Sequence, residues 1–452
     1  MKENSLVYQQ LIKSIEKYSS IDTKAFLESF TQTPNTCIKI NANKISNTNI
    51  LDFELNHSVQ WSEQSYYLKS RPAFYLDPLF YAGAYYVMDS SSMFLEYILK
   101  QIQLPENSLI LDIAAAPGGK SILISNYLNE EGILWSNEIN FSRTKILHYN
   151  LSKWGKSNYI ITNNSTDNFQ QISSLFDAVI CDAPCTGSGL FRKYPEWIHS
   201  FNEQLVQQCV HRQKQILSNI FSTIKTNGFL IYSTCSFTSE ENEEIAKFIL
   251  DNGFDYVDIK TPDEWGIVKT DWGLRFFPHL TNTEGFFYAV FQKTKEELNE
   301  YQIKHYTKKS NEGIKVIENI EFSEYIKKQH FHQLYFLKKK YFLSNKNIAA
   351  HFYPDNFKYV SIGTIITDEK NIMPASELVY SIYLNNNVPT IELSKNDALK
   401  FLKKENIQIN AEKKLYLMQY KHLGLGWAKA LENRINNYFP TEWRILKDIE
   451  DI

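Results

Sequence analysis

No stretch of this 452-residue sequence approaches the ~20 consecutive apolar residues of a membrane-spanning helix. The opening residues, MKENSLVYQQ, lack the charged-then-apolar pattern of a secretory leader, so the expected compartment is the cytoplasm and no membrane partner is expected. Cysteine is scarce. Cys37, Cys181, Cys185, Cys209 and Cys235 are odd in number and unevenly spaced, which argues for reduced thiols over a disulfide framework and leaves some of them free for chemistry. No C-x-x-C pair or histidine cluster accompanies them, and no metal site is expected. Charge of one sign is also lacking overall: the net charge of -3 argues against indiscriminate coating of nucleic acid. There is no internal repeat, and no segment combines low hydrophobicity with high net charge as disorder requires.

What is present is a globular composition, 43% hydrophobic and 22% charged, in a chain long enough for two or three cores. Charge is unevenly placed. Residues 301–452 carry 23 Lys plus Arg against 17 Asp plus Glu, a surplus of +6, which leaves -9 for residues 1–300. A basic C-terminal part suits phosphate contacts, although a soluble surface explains the same surplus.

Residues 1–100 read as an N-terminal accessory α+β region, with helices over Leu6–Tyr18 and Thr23–Phe30, a strand over Cys37–Asn41, and Pro72 and Pro78 in a loop-rich stretch. From residue 101 to 295, short apolar runs (LILDI, GILWSNE, NYIIT, DAVICD, GFLIYST) alternate with helical ones (SILISNYL, RTKILHYNLSKW and a long segment from Gln204 to Ile224). That alternation predicts an α/β, Rossmann-like domain with a mainly parallel sheet, to which FFYAVFQK would add a late edge strand. The polar, Lys-rich segment 296–313 reads as a linker, and 314–452 as a C-terminal α+β extension.

Two groups of residues carry chemistry. Leu109-Ile-Leu-Asp-Ile113 runs into Ala114-Ala115-Ala116-Pro117-Gly118-Gly119-Lys120, a strand, a small-residue turn and then a helix whose free N–H groups suit an anionic or carboxylate-bearing ligand. The turn lacks both G-x-G-x-x-G and the P-loop pattern, so neither NAD nor ATP is favoured. Glu138 ends the following strand, where a carboxylate accepts hydrogen bonds from ribose hydroxyls, and Asn163-Asn164 occupy the next tip, where adenine would lie. The second group is Asp182-Ala-Pro-Cys185 with Ser233-Thr-Cys235, each at the carboxyl end of a strand. A single cysteine is usually a small core residue. Two thiols at neighbouring strand ends beside a carboxylate point to covalent chemistry on an electron-poor ring: one thiolate adds at carbon-6 of cytosine, making carbon-5 nucleophilic, and the other assists proton removal and release. Asp182 is placed to hydrogen-bond the base, and Lys120 to add positive charge near the base or the cofactor carboxylate.

Together these motifs resemble the Sun (Fmu-like) family of RNA cytosine-C5 methyltransferases, and within it the bacterial ribosomal-RNA branch with a C-terminal PUA-like extension. LDIAAAPGGKS is similar to its cofactor motif, SNEIN with Arg143 to its ribose motif, DAPCTGSGLFRKYPEW and IYSTCSFTSEENEE to its two cysteine motifs, and the segment Tyr81–Met93 to a stretch near the cofactor loop. The resemblance implies that Cys235 attacks carbon-6, Cys185 assists release and Asp182 contacts the base. It also implies that Ala114 to Lys120, Glu138, Asn163, Asn164 and Asp182 line S-adenosylmethionine, and that the partner is small-subunit (16S) ribosomal RNA or the assembling subunit, met by a monomer. The chain departs from the family pattern at Met88, usually Gln, at Ala114, often Cys, and at Asn163-Asn164, where an acid is common. GLGWAK (424–429) and NYFP (437–440) are similar to the branch's closing motif; Trp427, Lys429 and Tyr438 would contact RNA or belong to an aromatic core. Two other readings stay open: a DNA cytosine methyltransferase using Cys185 of the Pro184-Cys185 pair as nucleophile, and a catalytically silent ribosome-assembly factor.

Overall fold

The computed structural model describes residues 5–16, 21–294, 313–327, 329–353, 356–370, 373–431 and 434–447. At its centre is a ten-stranded sheet. Five strands are parallel, in the order Tyr159–Thr162, Ile133–Asn137, Leu109–Asp112, Phe176–Asp182 and Ile224–Thr234. The chain starts in the middle at Leu109–Asp112, builds outward on one side, then returns to the other side through Phe176–Asp182. Ligands of such sheets bind outside the carboxyl ends of the strands where the direction reverses.

Alternation of side chains explains why both faces are covered. Leu109, Leu111 and Ile113 enter one core with Leu217 and Ile245 of the helices Glu203–Ile220 and Glu243–Leu250. Ile110 enters the other, with Leu99, Ile122 and Leu151 of the helices Ser90–Gln101, Gly119–Tyr127 and Phe141–Trp154. Side-chain caps start these helices locally: Asp89 accepts from the Ser91 amide, Asn140 from Ser142 and Arg143, and Asn202 from Leu205.

FFYAVFQK (Phe286–Lys293) is not an edge strand. It lies between Ile224–Thr234 and Gly273–Phe276, beyond which Val268–Thr270 adds a further antiparallel strand. Its nearly continuous burial is the mark of an interior strand, whereas alternation would suit an edge. The other edge is closed by a strand from far along the chain: Tyr359–Ile362 pairs antiparallel with Tyr159–Thr162.

The N-terminal region holds helices Ser5–Ile15 and Thr23–Ser29 and an antiparallel sheet ordered Leu55–Ser58, Ser65–Leu68, Cys37–Ile40, Tyr85–Val87. Pro78 opens the short helix Pro78–Ala82. Of the expected linker 296–313, only Gly313 lies within the described residues. The C-terminal part adds two four-stranded sheets and the helix Lys395–Lys403. One of its faces shares a core with the N-terminal sheet, where Ile38, Leu79 and Tyr85 meet Phe401, Met418 and Leu425. Trp427 belongs to the aromatic-core alternative, being 1% exposed with its indole N–H donating to the Ala375 carbonyl. Lys429 and Tyr438 are exposed.

Gly155 locks the C-terminal part to the helix Phe141–Trp154. It ends that helix at φ 98°, its carbonyl accepts from the Ile382 amide at 3.1 Å, and a Cβ there would stand 2.4 Å from the Tyr380 carbonyl oxygen. Gly155→Ala is expected to cost about 1–3 kcal/mol, read as an earlier first transition in urea unfolding. An unchanged midpoint would show that this junction does not constrain the fold.

Candidate active site

The parallel register sets the site. Asp182 lies opposite Ser233 at the ends of adjacent strands, and the Ser233 hydroxyl donates to Asp182 Oδ1 at 2.8 Å. Three residues beyond one strand end stands Cys185, and one beyond the other stands Cys235. Their sulfurs are 3.2 Å apart, both partly accessible. The other three cysteines are buried.

A buried carboxylate holds the two loops together. Glu241, fully buried, accepts from the Thr186 amide (2.8 Å) and hydroxyl (2.7 Å), the Ser236 hydroxyl (2.5 Å), the Thr238 hydroxyl (2.8 Å) and Gln213 Nε2 (3.3 Å). Thr186 follows Cys185 and Ser236 follows Cys235, so one side chain fixes both thiols. The Gly189 amide donates to the Cys235 carbonyl at 2.9 Å, and the Phe237 amide to the Ser188 hydroxyl at 2.8 Å.

The contact between the sulfurs and burial push the Cys185 thiol up. Lys120 Nζ stands 2.8 Å from Asp182 Oδ2 and 4.7 Å from the centre of the Phe286 ring; the lysine is nearly buried and the aspartate about one-third exposed.

Beside this pair opens a cavity lined by Ala114, Ala115, Ala116, Pro117, Gly119, Lys120 and Asp182, the residues expected from sequence, together with Tyr86, Val87, Met88, Ser92 and Asp112. Gly118 does not line it but shapes it: it starts the helix Gly119–Tyr127 in the left-handed region at φ 116°. The next helix braces the loop, with Arg143 donating to the Ala116 carbonyl and Asn150 to that of Pro117. Met88 reaches this loop directly, since a Cβ on Gly119 would fall 2.8 Å from its methyl.

Glu138 is buried at the neighbouring strand end, accepting from the Asn140 amide at 2.9 Å, with Arg143 at 3.5 Å. Asn163 and Asn164 lie at the tip beyond, outside the cavity. The Asn163 carboxamide donates to the Glu138 and Ile139 carbonyls at 2.8 and 3.0 Å, and Asn164 Oδ1 accepts from the Lys358 amide at 2.9 Å. Ile139, next to Glu138, is 68% exposed.

Asp112, the acid ending LILD, carries no site signal of its own in the sequence. Its Oδ2 accepts from Ser121 at 2.6 Å, while Oδ1 is buried without a hydrogen-bond partner among the described residues. Burial pushes this carboxyl up to about 7. Tyr194 and Trp197 lie within the motif DAPCTGSGLFRKYPEW. They stack at 4.6 Å, and a Cβ on Gly187, two residues past Cys185, would meet the Trp197 ring at 2.9 Å.

The clamp is testable. Glu241→Ala leaves several buried donors without an acceptor, and is expected to cost about 2–4 kcal/mol in urea unfolding. An unchanged stability would mean that these hydrogen bonds do not hold the two loops.

Three family models match separate parts of the chain: the N-terminal domain of 16S rRNA methyltransferase RsmF over residues 8–90, 16S rRNA methyltransferase RsmB/F over 99–292, and the methyltransferase RsmF PUA domain over 388–445. Ribosomal RNA small subunit methyltransferase F of Vibrio atlanticus is 26% identical over 470 residues, with 98% of each chain covered. Among solved structures, a methyltransferase homolog from Pyrococcus horikoshii is 24% identical with a TM-score of 0.51, covering 63% of this chain and 98% of its own. NSun6 from Pyrococcus horikoshii, solved with the S-adenosylmethionine analogue SFG, is 17% identical with a TM-score of 0.54, covering 64% and 98%. These two support the fold. The chain thus belongs to the RsmB/F family of S-adenosylmethionine-dependent RNA methyltransferases and carries the N-terminal and PUA domains of the RsmF branch.

Proposed function

We propose that the protein methylates carbon-5 of a cytosine in small-subunit (16S) ribosomal RNA, in the cytoplasm, through a covalent bond from Cys235 to carbon-6. The observation that carries this reading is the pair of thiols 3.2 Å apart, set at strand ends beside the Lys120–Asp182 ion pair. The relatives named for small-subunit ribosomal RNA supply the substrate class.

Cys235 acts as the nucleophile, its thiol first giving its proton to solvent, with the Cys185 thiol, pushed up by its neighbour and by burial, held against it. Its electron pair forms the bond to carbon-6 and the ring electrons move to carbon-5. Asp182 accepts from the exocyclic amine, while Lys120 holds that carboxylate in place and offsets negative charge on the ring. When bound, S-adenosylmethionine supplies the electrophilic methyl group that carbon-5 takes. Once Cys235 is bonded to carbon, its sulfur no longer raises its neighbour; Cys185 then gives its proton to solvent, and the resulting thiolate accepts the proton on carbon-5. The electrons of that C–H bond restore the ring double bond and expel the Cys235 thiolate.

The residues fit the cofactor. The loop Ala114–Lys120 presents small side chains to the cavity, and the unpartnered Asp112 Oδ1 at its wall suits the cofactor's ammonium group. Glu138 takes the ribose side, with Ile139 exposed beside it as an apolar surface for adenine. Asn163 acts through the backbone it holds at residues 138 and 139. The regions 1–100 and 314–452 would serve as accessory RNA-binding parts flanking the domain 101–295.

Two experiments test this reading. With S-adenosylmethionine and small-subunit ribosomal RNA, Cys235→Ala should give neither methylation nor a protein–RNA adduct on a denaturing gel. Cys185→Ala should accumulate adduct and turn over ~10²–10⁴-fold more slowly. The reverse pattern would make Cys185 the nucleophile, and a wild type inert on every ribosomal substrate would favour the assembly-factor reading.

The second concerns Asp112. Its ionised form attracts a cationic ligand, so cofactor affinity, measured by calorimetry, should hold above about pH 7 and fall as pH drops below it, toward about tenfold per unit. Asp112→Asn should bind weakly and lose this dependence; a flat wild-type profile would remove Asp112 from the cofactor site.

A further inference from the structure

A second opening, about 670 Å³ in volume, lies beside the cofactor cavity and shares Tyr86 and Val87 with it. Three separate parts of the chain build it: the segment Arg71–Phe80 of the N-terminal region, Asn150 of the helix Phe141–Trp154, and Lys447 near the end of the C-terminal part. Its volume falls within the ~300–1,000 Å³ of sites that hold small organic molecules, enough for a nucleotide.

The lining has a consistent chemistry. It includes two cations, four aromatic rings and one carboxamide, and no carboxylate. The exposed Arg71 guanidinium lies 5.5 Å from the centre of the Phe74 ring, and the exposed Lys447 ammonium 5.0 Å from that of Tyr75, so each cation is steered by a ring. Single-stranded nucleic acid is held by this combination, bases on aromatic faces and phosphates on nearby cations. Asn150 ties the groove to the cofactor loop through its hydrogen bond to the Pro117 carbonyl. A base extruded into the active site drags its neighbours in the strand with it, and those neighbours need a surface next to the cavity.

We infer that this groove takes the single-stranded RNA segment adjoining the target cytosine, with bases against Tyr75 and Tyr86 and phosphates against Arg71 and Lys447. The inference rests on the RNA-methylation reading above for the identity of the target. It gives the two accessory regions one shared task, each contributing one cation to the same strand.

The test uses the full chain, a short fluorescein-labelled single-stranded RNA containing one cytosine, and a salt series. The double variant Arg71→Glu with Lys447→Glu should weaken RNA binding about tenfold or more. It should also lower the slope of log affinity against log salt by about 1.4, two contacts at ~0.7 each. Cofactor affinity by calorimetry should stay within about twofold. Unchanged RNA affinity and slope, with cofactor binding intact, would overturn the groove. Should the double reversal lose cofactor binding, Arg71→Ala with Lys447→Ala replaces it under the same criteria. The groove and the reaction fail separately. If wild type methylates ribosomal RNA and the groove variants keep its KM, only the groove is wrong. If wild type methylates nothing while the groove variants still lose RNA affinity, only the reaction is wrong.

Discussion

The carboxylate of Glu241, with no solvent contact, gathers hydrogen bonds from Thr186, Ser236, Thr238 and Gln213 and so ties the loop after one strand to the loop after its neighbour. Strand pairing alone brings Asp182 and Ser233 level, but the chain beyond a strand end is free to diverge. A loop residue left to itself samples many conformations, at a backbone cost of roughly 1–2 kcal/mol to fix each one. Several charge-assisted bonds to one acceptor offset that cost for both loops together. Everything proposed for the two thiols depends on it, because their chemistry requires them within reach of the same ring.

Around this clamp the sheet topology supplies the remainder. The sheet order reverses between Leu109–Asp112 and Phe176–Asp182, where a cavity lined by Asp182 opens, and Cys185 follows three residues on. Lys120 links the cavity to the thiols, since it sits on the helix Gly119–Tyr127 beside the cavity yet pairs with Asp182. The helix Phe141–Trp154 braces the loop through Arg143 and Asn150 and carries the Gly155 junction to the C-terminal part. The cavity, the paired thiols and the C-terminal part are therefore connected through neighbouring elements.

Much of this was legible in the sequence because it is local. The parallel βα series followed from short apolar runs alternating with helical ones, and the residues 114–120, 182, 185 and 235 stood out because small, acidic and thiol side chains occurred at strand ends. What escaped notice depends on distance. Tyr359–Ile362 joins the sheet about 200 residues beyond its partner Tyr159–Thr162, and nothing in four apolar-polar residues names that partner. Glu241 sits in a run of acids, TSEENEE, and only the fold separates the buried Glu241 from the partly exposed Glu240. Asp112 was hidden for the opposite reason, as the polar end of an apolar strand whose significance lies in an unpaired oxygen. The late position of Phe286–Lys293 suggests an edge strand, but its nearly unbroken burial suits an interior one. Asn163 and Asn164 were placed at the right strand tip, but the hydrogen bonds of their side chains to other parts of the chain are a tertiary matter.

The central claim is that Cys235, and not its neighbour, bonds to the base. RNA carrying 5-fluorocytosine at the target position arrests the reaction after methyl transfer, because fluorine cannot leave as a proton does. Digesting the trapped complex and sequencing its peptides by mass spectrometry reads the attachment point directly. The account predicts one methylated nucleotide on the peptide containing Cys235 and none on that containing Cys185. Attachment at Cys185 would contradict it.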